Sequence, residues 1–291
     1  MASMRSIKRR KASVESTQQI TKAMKLVSTV KLQKARAKVE TNKPYFDALY
    51  STISSILART ADNGSSYISS NDSSVKAVIE VSSNRGLAGG YNSNLVKAVD
   101  KMDFPKDSTI VYAYGRKGME GLMKKGYNIV QDYSEVINEP LYDDCVVLTK
   151  EIIEKFDNGE IGEVYIAYTD FVNTVTHIPV VKKLFPISRE DFDSENIDTL
   201  MNYGEDGVGD EADSEIAVLE YIIPKYMTNM IFGAFMEAIA SENAARMQAM
   251  DSATSNADDM ISSLSLQYNR ARQNSITQEL TEIIAGAEAI T

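Results

Sequence analysis

The feature that most constrains this chain is its C-terminal segment, residues 225–291, which contains no proline and shows the residue spacing of one long helix. Residues that are spaced alternately three and four positions apart along this segment predict a coiled-coil seam. The seam consists of Met247, Met250, Thr254, Ala257, Ile261, Leu264, Tyr268, Ala271, Ser275 and Gln278. At 1.5 Å per residue such a helix is roughly 100 Å long, about three times the diameter of a small domain. Most of it therefore needs a partner helix.

The N-terminal end of the chain supplies a matching pattern. The same spacing is found at Leu32, Ala35, Val39, Asn42, Phe46, Leu49, Ile53 and Ile56. An earlier apolar stripe, at Ile20, Ala23, Val27 and Val30, is slightly out of phase with it. The polar residues Thr21 and Lys25 fall on the continued seam, which a helix built only for stability would not require. The alternative of two ordinary amphipathic helices on one core fits less well, since helices beyond about 25 residues are typical of coiled coils, repeats or membrane spans. A span is not expected, because no segment reaches about 18 uninterrupted apolar residues.

Charge is distributed unevenly along the chain. Residues 1–43 carry twelve Lys and Arg residues against two acids, a net of +10. Since the whole chain has a net charge of −10, the remainder carries −20. The basic N-terminal helix therefore predicts contact with an acidic surface, which leaves nucleic acid, membrane lipid or an acidic protein as partners. The basic pattern continues into the coiled-coil spacing without a break, so we interpret it as mature structure rather than a transit peptide.

The middle of the chain alternates between strand and helix patterns. Strands are predicted at residues 75–81, 109–114, 127–130, 164–168 and 174–184, and helices at 95–102, 118–125 and 141–156. This order predicts an α+β or α/β fold: an inserted α/β domain with a central mixed sheet, between two long terminal helices that form an antiparallel coiled coil. The expected domains are an N-terminal helix (1–60), a linker (61–74), the α/β domain (75–189), an acidic loop (190–215) and a C-terminal helix (216–291). Residues 190–215 contain eleven acids and no base, which favours a mobile loop.

Motifs for catalysis or for cofactor binding are weak. The glycine-rich segment 82–92 follows a strand and precedes a helix, but it has neither the Lys-Ser/Thr ending of a P-loop nor the G-x-G-x-x-G spacing. The chain has one histidine, His177, and one cysteine, Cys145, so no catalytic triad, disulfide framework or thiolate metal site can be composed with confidence. We expect no catalytic residue, no cofactor and no metal. The chain is expected to work by shape, stiffness and contact.

Several separated motifs resemble the gamma subunit family of F-type rotary ATP synthases. Near the N-terminus they are residues 6–10 (SIKRR) and 17–27 (TQQITKAMKLV), and in the middle 83–92 (SNRGLAGGYN). Near the C-terminus they are residues 242–250 (ENAARMQAM) and 268–283 (YNRARQNSITQELTEI). The resemblance extends over the whole chain, with the motifs in the family's order. The chloroplast relatives carry a redox switch made of two cysteines. This chain has only Cys145 and so lacks that switch, which favours a bacterial origin.

The resemblance implies a non-catalytic rotor shaft inside a ring of alpha and beta subunits. It places the α/β domain near the membrane rotor ring, the c-ring, and the epsilon subunit, on the cytoplasmic face of the cell membrane. By the same likeness, Met24, Lys25 and Arg246 meet the moving lobes of the beta subunits. Arg272, Gln273 and Thr277 meet one beta subunit higher on the shaft. No nucleic acid is expected, and the membrane is contacted only through partner subunits.

A last stripe, offset by one position from the seam, lies beyond the part of the C-terminal helix that can be paired. Its residues are Leu280, Ile283, Ile284, Ala287 and Ile290. An apolar helix end in water is unfavourable, so this tip is expected to turn in a hydrophobic sleeve supplied by the ring, with Ile283, Ile284, Ala287 and Ile290 as its bearing surface. Two rival hypotheses remain open: a nucleic-acid-binding coiled coil that uses the basic helix, and an enzyme that uses the α/β domain.

Overall fold

The fold is taken from a computed structural model that describes residues 4–59, 67, 71–187 and 211–288. The chain divides into two compact units. Unit 1 comprises Met1–Thr29 and Arg246–Thr291, and unit 2 comprises Val30–Ala245. The two longest elements are helices at the ends of the chain, α1 (Met4–Arg59) and α5 (Glu211–Glu288), which confirms the predicted terminal helices.

The predicted seam lies on the packed face of both helices. In unit 2, the α1 residues Leu32, Ile53 and Ile56 are buried. Farther along, Asn42 Nδ2 donates a hydrogen bond of 2.6 Å to Asn229 Oδ1 of α5, and the rings of Phe46 and Tyr226 stack with 5.7 Å between centroids. Partner numbers on α1 rise as those on α5 fall, so the pair is antiparallel as predicted.

A five-stranded mixed sheet lies in unit 2, with the strand order β3-β2-β1-β4-β5. The strands are β1 (Lys76–Glu80), β2 (Thr109–Ala113), β3 (Asn128–Asp132), β4 (Glu163–Phe171) and β5 (His177–Phe185). The first four pair in parallel, and β5 pairs with β4 in antiparallel orientation. The helices α2 (Tyr91–Lys101), α3 (Arg116–Lys124) and α4 (Tyr142–Asp157) connect the strands. The predicted mixed sheet is confirmed.

Alternation along β1 gives the sheet two buried faces. Ala77, Ile79 and Val81 join a core formed with residues of α1, α4 and α5, whereas Val78 joins a core formed with residues of α2 and α3. Both faces of the central strands are covered, as parallel strands require. The α/β domain is thereby fixed to the long helices through one face of its sheet.

Helix α5 begins earlier than the sequence pattern indicated. The proline-free stretch 225–291 was predicted to be one helix and the C-terminal helix was bounded at residue 216, whereas α5 runs from Glu211 and contains Pro224. An interior proline costs about 3 kcal/mol. Burial of Leu219, Ile223 and Met227 on the same helix offsets this cost, since each fully buried side chain contributes about 1.5–3 kcal/mol. Helix α1 likewise continues through Pro44.

Candidate partner-contact surfaces

Three polar pairs join α1 and α5 within unit 1. Lys25 Nζ lies 2.6 Å from Asp251 Oδ1, and the hydroxyl groups of Thr21 and Thr254 are 2.7 Å apart. The third pair is a hydrogen bond from Gln18 Nε2 to Asp258 Oδ1. We call these three pairs the polar ladder. The Thr–Thr pair is buried and the other two are exposed.

The residues that flank the ladder are apolar and follow the predicted spacing. On α5, Met250, Ala257 and Leu264 are buried, and on α1 Ile7 is buried. Ser28 of α1 is also buried, one heptad beyond Thr21. The seam therefore continues through the polar ladder. Thr21 and Lys25, which the sequence pattern placed on the continued seam, belong to this ladder.

The apolar stripe at Ile20, Ala23, Val27 and Val30, which the sequence places slightly out of phase with the seam, lies off the packed face of α1. Ile20 is 58% exposed, Val27 is 57% exposed and Val30 is 52% exposed. Each of these residues lies one or two positions before a seam residue of α1. A residue at that offset faces a different side of the helix. Within unit 1 the polar residues Thr21 and Ser28 are buried on the seam instead. An apolar stripe is left on the outer surface of α1.

The predicted lower contact residues occupy different environments. Met24 is half-buried, and Lys25 has a side chain that is 41% exposed and paired with Asp251. Arg246 is 9% exposed. Lys25 therefore meets an acidic group of its own chain, a partner that the sequence analysis did not identify. The signal was present, since Asp251 and Asp258 are one heptad apart beside the seam.

The predicted upper contact residues are all exposed. Arg272 and Gln273 extend from α5, and Thr277 Oγ1 donates a hydrogen bond of 2.9 Å to the Gln273 carbonyl oxygen. Continued to Met4, the antiparallel pairing reaches about residue 272 of α5. Among the described residues, α5 beyond this point has no α1 residue opposite it.

The predicted bearing tip belongs to this unpaired end. Ile283 is 68% exposed, Ile284 is 62% exposed and Ala287 is exposed. Ile290 lies outside the described residues. Leu280 and Ile276 are also exposed, so large apolar side chains continue along several turns of the helix. An exposed apolar surface of this extent is typical of a contact with another protein.

The glycine-rich segment 82–92 uses its polar groups internally. Asn92 Oδ1 accepts hydrogen bonds of 3.0 Å from both the backbone nitrogen and the hydroxyl group of Ser83. Ser82 Oγ accepts one of 2.9 Å from the Gly118 nitrogen and donates one of 3.1 Å to the Gly115 carbonyl oxygen. The Ser82 bonds tie the end of β1 to the start of α3, and the Ser83 bonds tie it to α2. The segment therefore has a structural role in joining these elements.

The described residues contain neither a metal-binding cluster nor a membrane-spanning helix. Within the described residues, no group of three or more His, Cys, Asp or Glu side chains is arranged to hold a metal ion. No helix within those residues is long and apolar enough to cross a membrane. The exposed side chains on the paired helices α1 and α5 are therefore the candidates for contact with another protein.

The chain is similar over nearly its whole length to one protein family. It matches the family described as ATP synthase over residues 3–290. It is 55% identical to the ATP synthase gamma chain of Lachnoclostridium phytofermentans, with 100% of both chains covered. It is 36% identical to the sodium-ion-specific ATP synthase gamma chain of Acetobacterium woodii, with 98% of this chain and 97% of the relative covered.

Solved structures show the same fold at low sequence identity. A chain in the Euglena gracilis mitochondrial ATP synthase OSCP/F1/c-ring structure matches with a TM-score of 0.69 at 18% identity, covering 99% of this chain and 94% of that one. A chain in the central stalk and c-ring structure of the Tetrahymena thermophila mitochondrial enzyme matches with a TM-score of 0.57 at 21% identity, covering 80% and 99%. These comparisons give no support to the hypothesis of a nucleic-acid-binding coiled coil.

Proposed function

Because this chain belongs to the family of ATP synthase gamma chains, we propose that its paired helices turn as a shaft inside a ring of alpha and beta subunits. As a gamma chain it is a non-catalytic subunit of ATP synthase, and it couples ion flow through the membrane rotor to ATP synthesis or hydrolysis. The observation that carries the proposal is the antiparallel pair of α1 and α5 in unit 1, in which the end of α5 continues beyond α1.

The lower contact of the proposed shaft involves Met24, Lys25 and Arg246. The basic N-terminal helix would face acidic surfaces of the beta subunits, since opposite charges favour encounter between proteins. An exposed ion pair contributes only about 0–1 kcal/mol, so contacts of this kind are made and broken at little cost during rotation. The Lys25–Asp251 pair supports this view, because it moderates the charge that Lys25 presents to a partner.

The upper contact and the tip complete the proposed shaft. Arg272, Gln273 and Thr277 would contact one beta subunit, and Ile283, Ile284, Ala287 and Ile290 would turn in an apolar sleeve of the ring. Apolar contact is non-directional, so it does not favour one rotational angle. The α/β domain would meet the epsilon subunit and the c-ring at the cytoplasmic face of the cell membrane. The protein would then be peripheral, touching the membrane only through its partners.

The direct test is reconstitution with the alpha and beta subunits of the same organism, followed by assembly with its membrane rotor. We expect the chain to co-purify with the six ring subunits, and ATP-driven ion pumping to require it. Hydrolysis and pumping are measured on the same membranes, with and without the chain. A chain that purifies alone from such a mixture, or pumping that persists without it, would contradict the proposed function.

Asp251→Asn gives a sharper test of the lower contact. Removing the carboxylate leaves the Lys25 charge without its intrachain partner, so we expect a stronger hold on acidic ring surfaces and a several-fold slower hydrolysis by the assembled complex. The double variant Lys25→Met/Asp251→Asn should restore the rate. Asp259→Asn, an equal charge change at an exposed site on the same helix, serves as the control and should leave the rate unchanged. Equal rates for Asp251→Asn and the unchanged chain would argue against Lys25 as a contact residue.

A further inference from the structure

Glu80 is a buried carboxyl group inside the sheet of unit 2. It is the last residue of β1, the central strand, and it is fully buried. Its backbone pairs with Ala113 of β2 and with Ala167 of β4. Neither oxygen of its carboxyl group has a hydrogen-bond partner among the described residues. A carboxyl group in such a place favours its neutral form, since the ionised form would lose its water without gaining a partner.

The side chain of Glu80 lies against the first turn of α3. Alternation along β1 places Glu80 on the same face as Val78, which packs with residues of α2 and α3. A Cβ atom added to Gly118 of α3 would overlap both Glu80 Oε1 and Ser82 Oγ. The carboxyl and the hydroxyl group therefore occupy the same narrow space between the end of β1 and the helix.

Ser82 joins the end of β1 to this turn through both sides of its hydroxyl group. The hydroxyl oxygen accepts a hydrogen bond of 2.9 Å from the Gly118 nitrogen, and the hydroxyl proton is donated to the Gly115 carbonyl oxygen at 3.1 Å. A serine hydroxyl has one proton to donate but can accept two hydrogen bonds. Ser82 can therefore accept a bond from a neutral Glu80, but it cannot donate to Gly115 and to an ionised Glu80 at the same time.

The next two residues hold the same turn of α3. The Ser83 carbonyl oxygen accepts a hydrogen bond of 3.0 Å from the Lys117 nitrogen, and Asn84 Oδ1 accepts one of 3.1 Å from the Arg116 nitrogen. The first N–H groups of a helix have no partner within the helix, so this segment supplies what the helix lacks. A disturbance at Ser82 would therefore be felt by the whole first turn.

We propose that Glu80 is a proton-controlled latch between β1 and the first turn of α3. While Glu80 keeps its proton, the neutral carboxyl group donates to Ser82 Oγ, and Ser82 keeps its bond to Gly115. Once Glu80 is ionised, the carboxylate takes the Ser82 hydroxyl as its donor, and the Gly115 carbonyl oxygen loses Ser82 as a partner. Ionisation of Glu80 therefore loosens the start of α3.

The groups around Glu80 leave this titration to Glu80 itself. Burial raises the pKa of Glu80 to about 8, and the Ser82 hydroxyl moderates the rise. The ionisable residues next to Ala113 and Ala167 on the flanking strands are tyrosines, and burial raises the pKa of each: Tyr112, Tyr114 and Tyr168. The charged residues of α2 and α3, which cover this face, are exposed or half-exposed: Lys97, Asp100, Lys101, Arg116, Lys117, Glu120 and Lys124.

The direction of the pH dependence follows from linkage. With α3 closed, Glu80 keeps its proton up to a pKa of about 8, and with α3 opened its pKa returns towards the ordinary value of 4.5. Between these values the opened form binds fewer protons, so the opening equilibrium rises by up to about tenfold per pH unit. Above about pH 8 both forms are ionised and the equilibrium no longer changes.

Hydrogen exchange of the Gly118 amide in the full chain tests the latch. Protection factors, corrected for the pH dependence of intrinsic exchange, are measured between about pH 5.5 and 9. For the unchanged chain we expect the protection of Gly118 to fall by at least about tenfold between about pH 6 and 8 and then to level off. For Glu80→Gln, whose side chain is neutral at every pH, we expect protection without this slope.

A second measurement follows the proton itself and keeps the test available if Glu80→Gln folds poorly. The carboxyl carbon of Glu80 is assigned through its coupling to the backbone resonances and titrated by NMR. We expect a midpoint near pH 8 in the unchanged chain. Ser82→Ala removes the hydroxyl donor that the ionised form requires, so this variant should raise the midpoint.

Glu237→Gln is the matched control. Glu237 lies on α5, which packs on the opposite face of the sheet, and burial raises the pKa of its carboxyl group as well. Removing this second buried acid should leave the slope at Gly118 in place. The proposal is overturned by a slope that survives in Glu80→Gln, by a Glu80 carboxyl group that titrates near its ordinary value, or by Gly118 protection that stays constant while Glu80 titrates.

Discussion

Replacing Ile283 and Ile284 together with Asp should prevent the chain from assembling with its partner subunits while leaving the chain itself folded. Both side chains are more than half exposed on α5, so the two substitutions together should alter the stability of the isolated chain by no more than about 1 kcal/mol. If the tip enters an apolar sleeve, the two charges must lose their water, at a cost of several kcal/mol. Gel filtration of the mixed subunits and thermal unfolding of the isolated chain measure the two effects separately.

Two controls accompany this prediction. Ile283→Leu/Ile284→Leu keeps the tip apolar and should assemble normally. Removal of Gly286–Thr291 shortens the tip and should weaken the complex only modestly, since the large apolar residues Ile276, Leu280, Ile283 and Ile284 remain. Normal subunit stoichiometry for the double Asp variant would mean that the tip stays in water and that the bearing interpretation is mistaken.

The substitution Gly118→Ala should be the most destabilising single change in the α/β domain that we propose. A Cβ atom at this position in α3 would lie 1.8 Å from Glu80 Oε1 and 2.6 Å from Ser82 Oγ. Glu80 is fully buried at the end of β1, so its carboxyl cannot move into solvent to make room. Overpacking a rigid core site costs about 1–3 kcal/mol, and we expect the upper end of that range. Urea unfolding of the full chain measures the change.

The matched control is a second glycine within a helix. Gly233 lies in α5, and an added Cβ there meets nothing within 4 Å. Gly233→Ala should therefore stabilise the chain by about 0.5–1 kcal/mol through the higher helix propensity of alanine. If the clash with Glu80 causes the loss, Glu80→Ala should recover part of the stability in the Gly118→Ala background but not in the Gly233→Ala background. Equal effects of the two glycine substitutions would refute the packing argument.

The sequence was sufficient to predict the terminal helices, their antiparallel pairing and the mixed sheet. Regular spacing over many turns identifies a packed face, and all five strands lie where the apolar runs predicted them. The C-terminal helix was predicted from residue 216, whereas α5 begins at Glu211 and passes through Pro224. The burial of residues on either side of it is a tertiary effect that local propensity does not contain.

The rotation of α1 in unit 1 shows why local hydrophobicity can mislead. The apolar stripe through Ile20 and Val27 looked like a seam, yet these residues are exposed, and the polar residue Thr21 is buried instead. The deciding information lay in the unbroken spacing that continues from Leu32. The contact roles of Arg272 and Gln273 stay predictions, because only an experiment with the partner subunit can test them.

The polar ladder also determines where along its length α5 meets α1. If α5 slid by one heptad, about 10 Å, Lys25 would leave Asp251 and find Asp258, so the ion pair alone would tolerate the error. Thr21 would leave Thr254 and face Ile261, and its buried hydroxyl group would keep only the hydrogen bond that it donates to the Gln18 carbonyl oxygen. The Thr21–Thr254 pair therefore distinguishes the correct alignment from its nearest competitor. These two hydroxyl groups thus help to set how far α5 extends beyond α1. The axial position of every contact on the shaft depends on that distance.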